Sequence, residues 1–152
     1  MIQDVATKTI ATVLNKQVAN WSVLYVKLHN FHWYVKGKHF YELHTKFEEF
    51  YTEAAAYVDE LAERLLAIGG KPIGSMKEYL SEASISEATG NESTEQMVRS
   101  INNDFRMLVS DLHQGIHIAE SEDDHATADM LTHIRTNIEK HSWMLESFLV
   151  RD

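Results

Sequence analysis

HFYELHTKFEEFYTEAAAYVDELAERLLAIGGKP, residues 39–72, sets Phe40, Leu43, Phe47, Phe50, Ala54, Val58, Leu61, Leu65 and Ile68 at steps of three and four. That spacing draws one apolar stripe along an α-helix. Gly69-Gly70 ends it, with Pro72 just beyond. Glycine takes the left-handed turn that stops a helix, and proline cannot continue one. Upstream, Ile10, Val13, Leu14, Val18, Trp21, Leu24, Tyr25, Leu28 and Phe31 repeat the period. This first helix is entered by about Val5, with Asp4 as candidate N-cap and Gly37 as candidate stop. So short a junction makes the two helices antiparallel neighbours.

Residues 71–92 differ, being rich in glycine and serine with Pro72, and Met76, Tyr79, Leu80 and Ile85 are interspersed. They read as a long crossover carrying a short helix. A third long helix runs from about Ser93 through Val98, Ile101, Phe105, Leu108, Leu112 and Ile116. The acidic break Glu120-Ser-Glu-Asp-Asp124 precedes a fourth, with Met130, Leu131, Ile134, Ile138, Leu145, Phe148 and Leu149. No alternating pattern competes. Two hairpins joined by one long crossover define an all-α, ferritin-like four-helix bundle, with a short helix between helices two and three. The 152 residues suit one domain spanning 1–152, and 44% hydrophobic content is enough for a core without disulfides. No apolar run approaches the roughly 20 residues of a membrane span. With no cysteine and an amphipathic rather than signal-like N-terminus, the chain is expected to be cytoplasmic. Its 23 acids against 14 bases give net −9, which suits cations and opposes nucleic acid.

Four good metal ligands fall between His32 and Glu63. His32 and His44 flank the turn between the first two helices, whereas Asp59 and Glu63 lie one turn apart further down the second. From His44 to Asp59 is fifteen residues, or about 22 Å at 1.5 Å per residue. One ion with bonds near 2 Å cannot bridge that gap. Either these are two unrelated pairs, or a second chain brings its carboxylates to the first chain's histidines. His44 and Glu48 share the i, i+4 spacing of Asp59 and Glu63. Imidazole with carboxylate suits Fe(II), with Zn(II) and Mn(II) as competitors. Equally, E-E-F-Y-T-E and D-E-L-A-E-R read as an ordinary solvated helix face. Elsewhere, His113 and His117 are spaced i, i+4 without a third ligand, and Glu122-x-x-His125 falls in a break between helices. His29, His39, His133 and His141 default to hydrogen-bonded structural histidines.

The segment Lys27-Leu-His-Asn-Phe-His-Trp-Tyr-Val-Lys-Gly37, with Leu43-His44, Phe47-Glu48-Glu49 and Tyr57-Val-Asp-Glu-Leu-Ala-Glu-Arg64, resembles the Dps family of miniferritins. Gly69-Gly-Lys-Pro72, Asp129-Met-Leu131 and His141-x-Trp143 extend the likeness over nearly the whole chain. The resemblance implies a hollow homododecamer that binds Fe(II), oxidises it preferentially with hydrogen peroxide, and stores Fe(III) mineral. It implies ferroxidase centres at two-fold interfaces, with His32 and His44 from one subunit and Asp59 and Glu63 from the other. Glu48 falls where some members carry a further acid. Trp33 is either a core aromatic or, as the family suggests, a ring near the centre that intercepts oxidant. Asp123, Asp124 and Asp129 are either a solvated turn or, by the same resemblance, the lining of acidic three-fold pores, with Asp124 and Asp129 as the pore candidates. DNA-coating members carry a lysine-rich tail that this sequence lacks, so no strong DNA binding is expected near neutral pH. Two alternatives stand beside the ferroxidase: a nucleoid-coating protein, and a non-catalytic helical oligomer holding a structural metal such as zinc.

Overall fold

The computed structural model describes residues 9–151. It contains α1 (Ile10–Tyr34), α2 (Phe40–Ala67), α3 (Met76–Glu82), α4 (Thr94–Ser121) and α5 (His125–Leu149), with no strand among the described residues. The helix starting at Ile10 is capped by Thr9, whose hydroxyl accepts from the Thr12 amide while Thr12 returns a bond to the Thr9 amide. The expected entry at Val5 and cap at Asp4 lie outside the described residues. Ser93 and Gln96 cap α4 in the same reciprocal way, satisfying two otherwise orphaned donors.

The second helix ends as its glycines require. Gly69 sits at φ +88°. Its amide donates to Leu66 O, and the Gly70 amide donates to Leu65 O, the paired bonds of a Schellman stop. At the α4–α5 junction no glycine is available, and Asp123 itself takes φ 58°, a conformation that Asp tolerates better than most residues.

Helix α1 packs on α2, α3 and α4, and α4 packs on α5, giving two antiparallel hairpins joined by the crossover. The core holds Trp21, Phe31, Phe47, Phe105 and the fully buried leucines 14, 24, 28, 61, 65, 108 and 112. Each such side chain contributes roughly 1.5–3 kcal/mol on leaving water. Gly115 lets α4 approach closely, since a Cβ there would lie 2.6 Å from the Val13 side chain. Polar ties hold the crossover onto α1. Asn20 accepts from the Ser84 and Ile85 amides, and Asn15 bridges Lys71 O and the Ile73 amide. One ion pair crosses the interior: Lys27 Nζ on α1 lies 2.7 Å from Asp104 Oδ2 on α4, both buried. Tyr25, Ile68 and Phe148, placed on apolar stripes by periodicity, stand at the surface instead.

Candidate metal centre

The α1–α2 turn brings His32, on the last turns of α1, against His44, in the first turns of α2. Their rings stack at 3.7 Å and 13°. His32 Nδ1 donates to the His44 carbonyl at 2.6 Å, and His44 Nδ1 donates to the His32 carbonyl at 2.8 Å. A carbonyl oxygen only accepts, so each Nδ1 must carry the proton. In each neutral ring the lone pair then sits on Nε2. This reciprocal bond fixes both tautomers and both ring orientations, the task usually given to outer partners of metal-binding histidines. Phe40 stacks on the far side of His44 at 4.9 Å, and Tyr51 meets the His32 ring edge-on at 5.4 Å. Glu48 Oε1 stands 4.0 Å from His32 Nε2, with its side chain more than half exposed. One carboxylate therefore stands near the His32 Nε2 lone pair, beyond hydrogen-bond reach.

Asp59 and Glu63 lie on the same unbroken α2, about 22 Å and more from His44 by helix rise. Both are exposed, one turn apart, and make no hydrogen bond or ion pair with any described residue. No group of three His, Asp or Glu side chains that could hold a metal forms within the chain among the described residues. Within one chain, then, the histidine pair and the Asp59–Glu63 pair lie at different places and do not meet.

Other acids on or near α2 are committed. Glu53 accepts from the Tyr57 hydroxyl at 2.6 Å and from His141 Nε2 at 3.0 Å. Burial pushes its carboxyl up, but these hydrogen bonds outweigh that and hold it below the usual range. Asp124 caps α5, accepting from the Thr127 amide and hydroxyl, while Arg64 forks onto Asp124 and Thr127. Burial raises the Asp124 carboxyl, and Thr127 and Arg64 together bring it below its ordinary value. Much of Asp124's charge is therefore answered within the chain, whereas Asp129 is exposed.

Trp33 is 65% exposed. That removes the core-aromatic reading, because at the last turn of α1 its side chain points away from the bundle. It lies 5.3 Å from the His29 ring rather than against the histidine pair. His141 bonds Glu53, and His29 Nδ1 donates to Tyr25 O, as structural histidines do. His113 Nδ1 accepts from Arg135, which places its proton on Nε2 and leaves no free lone pair. Sequence reading overlooked Tyr51, although residues 44, 48 and 51 step by four and three along one face of α2. It also overlooked Arg64, whose partners are sixty and sixty-three residues away.

Comparison with known proteins bears on this arrangement. The ferritin-like domain family matches residues 11–152. General stress protein 20U of Bacillus subtilis (strain 168) is 56% identical over 143 residues, covering 94% of this chain and 99% of that protein. A DNA protection during starvation protein of Brevibacillus brevis is 59% identical over 140 residues, covering 92% and 94%. The crystal structure of a Dps protein from Bacillus brevis superposes with a TM-score of 0.92 at 58% identity, covering 93% of this chain and 95% of that one.

Proposed function

The chain belongs to the Dps family of ferritin-like proteins, and on that premise we propose that it oxidises Fe(II) at centres shared between two subunits. Iron storage and protection of DNA are the family's general role, and iron is the substrate here. The observation that carries the reading is the reciprocal bond between His32 and His44, which leaves both Nε2 lone pairs without a hydrogen-bond partner among the described residues.

His32 and His44 bind Fe(II) through Nε2, with Glu48 close enough to swing in. Asp59 and Glu63 of a second copy complete the donor set. Their anionic oxygens favour Fe(III) over Fe(II), because the harder and more charged ion gains more from them. So few protein ligands leave positions open for hydrogen peroxide or a second iron. Zn(II) competes for the same nitrogen and oxygen donors. An apolar face supports pairing of two chains: Val26, Met76 and Leu80 are each about half exposed or more, beside a groove lined by Ala55, Val58 and Tyr79. The proposed assembly is a homododecamer storing Fe(III) inside.

Iron(II) is drawn in past the acidic bend between α4 and α5, repeated around a three-fold axis. Asp129 carries most of this attraction, since Arg64 offsets Asp124. No helix of the described residues is long and apolar enough to cross a membrane. With net −9 per chain, protection of DNA proceeds through consumption of peroxide and iron rather than by coating a polyanion.

Subunit mixing tests the shared centre. His32→Ala and Asp59→Ala proteins should each oxidise anaerobically loaded Fe(II) slowly on addition of peroxide. Dissociated and reassembled together, they should regain part of the activity, because mixed interfaces rebuild one intact centre. Recovery no greater than the average of the two parents would sink the two-chain model.

A further inference from the structure

Phe40 opens α2 one turn before His44, and residues four apart on a helix share a face. Its ring lies over the His44 imidazole at 4.9 Å and 21°. His32 covers the other face of that imidazole at 3.7 Å and 13°. His44 is thus the middle member of a column of three near-parallel rings. The column starts from a fixed backbone: Gly37 takes φ +101°, and the Phe40 amide donates to the Gly37 carbonyl. Phe40 is itself partly buried against the core.

One hydrogen bond, from Nδ1 to the His32 carbonyl, ties the edge of the His44 ring. A planar ring held at one edge still tilts about that bond, and a tilt carries Nε2 away from an arriving ion. Flat contact on both faces removes that freedom. We propose that Phe40 is a positioning residue for the metal centre, its ring keeping the His44 imidazole at the angle at which Nε2 takes a divalent cation. The proposal rests on the reading of His44 as an iron ligand. A second contribution acts in the same direction. A cation on Nε2 draws electron density out of the imidazole, and the electron-rich face of a phenyl ring attracts a ring so depleted. The contact therefore favours the metal-bound histidine over the empty one. Phe40 acts through His44 alone and takes no part in the redox step. Packing against the core would need only apolar volume at position 40, which leucine supplies. A flat face needs an aromatic ring.

The test uses the assembled, iron-free protein titrated anaerobically with Co(II), whose visible spectrum reports its ligands. The part of that spectrum which His44→Ala abolishes is the signal followed. Phe40→Leu should weaken this binding about tenfold, the lower end of what losing a ligand's supporting contact costs. Its oxidation of Fe(II) by peroxide should need correspondingly more Fe(II) to reach half its maximal rate, with the saturated rate within about twofold of wild type. Phe40→Tyr, which restores the flat face, should return both quantities to wild-type values. Wild-type Co(II) affinity in Phe40→Leu overturns the proposal. So does an equal loss in Phe40→Leu and Phe40→Tyr, which would mark a position sensitive to any change. A wild-type Co(II) spectrum that survives His44→Ala unaltered defeats the centre itself, which is a separate failure. Should Phe40→Leu not assemble, Phe40→Met, a flexible side chain that fills irregular gaps, takes its place with the same outcomes deciding.

Discussion

Two sets of carboxylates in this molecule have opposite circumstances. Asp104, Glu53 and Asp124 are each held by a cation or donor from another helix of the same chain. Asp59, Glu63 and Asp129 are exposed and make no ion pair among the described residues. The first set ties helices together and is spent on the fold. The second contributes little to the chain's own stability and stays available to a cation or a second subunit. Both sets occur on or beside α2, so helix membership does not separate them. What separates them is whether another helix of the bundle supplies a partner.

Substitution of the committed acids should therefore be felt in stability, most of all at the buried pair. Asp104→Asn leaves the Lys27 ammonium buried without a counter-charge, which costs about 3–5 kcal/mol. Denaturant unfolding of the intact assembly measures it. Burial pushes the Asp104 carboxyl above its ordinary range even with Lys27 beside it, so the pair is an expensive contact to maintain. A double Lys27→Met, Asp104→Leu replacement should accordingly recover most of the loss. An Asp104→Asn protein as stable as wild type would erase the distinction drawn above.

The uncommitted acids should show the reverse. Asp59→Asn with Glu63→Gln should leave subunit unfolding within about 0.5 kcal/mol, as for surface changes generally. Peroxide-driven Fe(II) oxidation should fall by at least about tenfold to a hundredfold, the range that even outer partners of metal ligands reach. Stopped-flow absorbance at Fe(III) wavelengths, beside an unfolding curve, reads both quantities on one sample. A stability loss equal to that of Asp104→Asn would place these acids in the first set.

This contrast was only partly legible in the sequence. Helix spans followed from the apolar period and from Gly69-Gly70, because local spacing and backbone freedom decide both. The distance between His44 and Asp59 also followed, since helix rise is fixed. The reciprocal bonds of His32 and His44 did not, because they depend on the path of the turn at residues 35–39 and on the register it imposes. The Lys27–Asp104 pair lies 77 residues apart in sequence, and no periodicity within one helix can announce it. Trp33 has the character of a core residue, yet its angular position on the last turn of α1 exposes it. Asp124 resembled its acidic neighbours until Arg64 and Thr127 were seen to hold it.

A smaller effect is expected at Glu53, through pH. Its carboxyl is held below the ordinary glutamate range in the fold, despite burial, by His141 and Tyr57. The unfolded chain then binds its proton more readily, so the stabilisation is full at neutral pH and disappears as pH falls through the acid range. Glu53→Gln should cost roughly 1 kcal/mol at neutral pH, the size of one hydrogen bond, and should flatten the acid limb of the stability curve. Thermal unfolding at a series of pH values between neutral and mildly acid gives both. A variant whose curve parallels wild type down through the acid limb would show that Glu53 is not among the groups whose protonation loosens the α2–α5 seam.

The smallest effect, and the most conditional, concerns Asp129. If its exposed carboxylate attracts Fe(II) at a pore, Asp129→Asn should slow uptake a few-fold at low iron and low salt, and hardly at all at saturating iron. Attraction raises the local cation concentration without altering the chemistry that follows. It is also screened: the Debye length falls from about 30 Å at 0.01 M salt to about 10 Å at 0.1 M. The deficit of the variant should therefore shrink as salt rises, while any deficit in Asp59→Asn persists. Asp124→Asn gives the internal contrast. Its charge is largely answered by Arg64, so the variant, whose amide oxygen still caps α5, should lose at most about 1 kcal/mol with that ion pair, and change the salt dependence of uptake less than Asp129→Asn does. Equal salt-dependent deficits in the two variants would mean that Arg64 does not neutralise Asp124 as seen by an arriving cation. An Asp129→Asn shell that takes up iron normally at low salt would return the bend to an ordinary solvated turn.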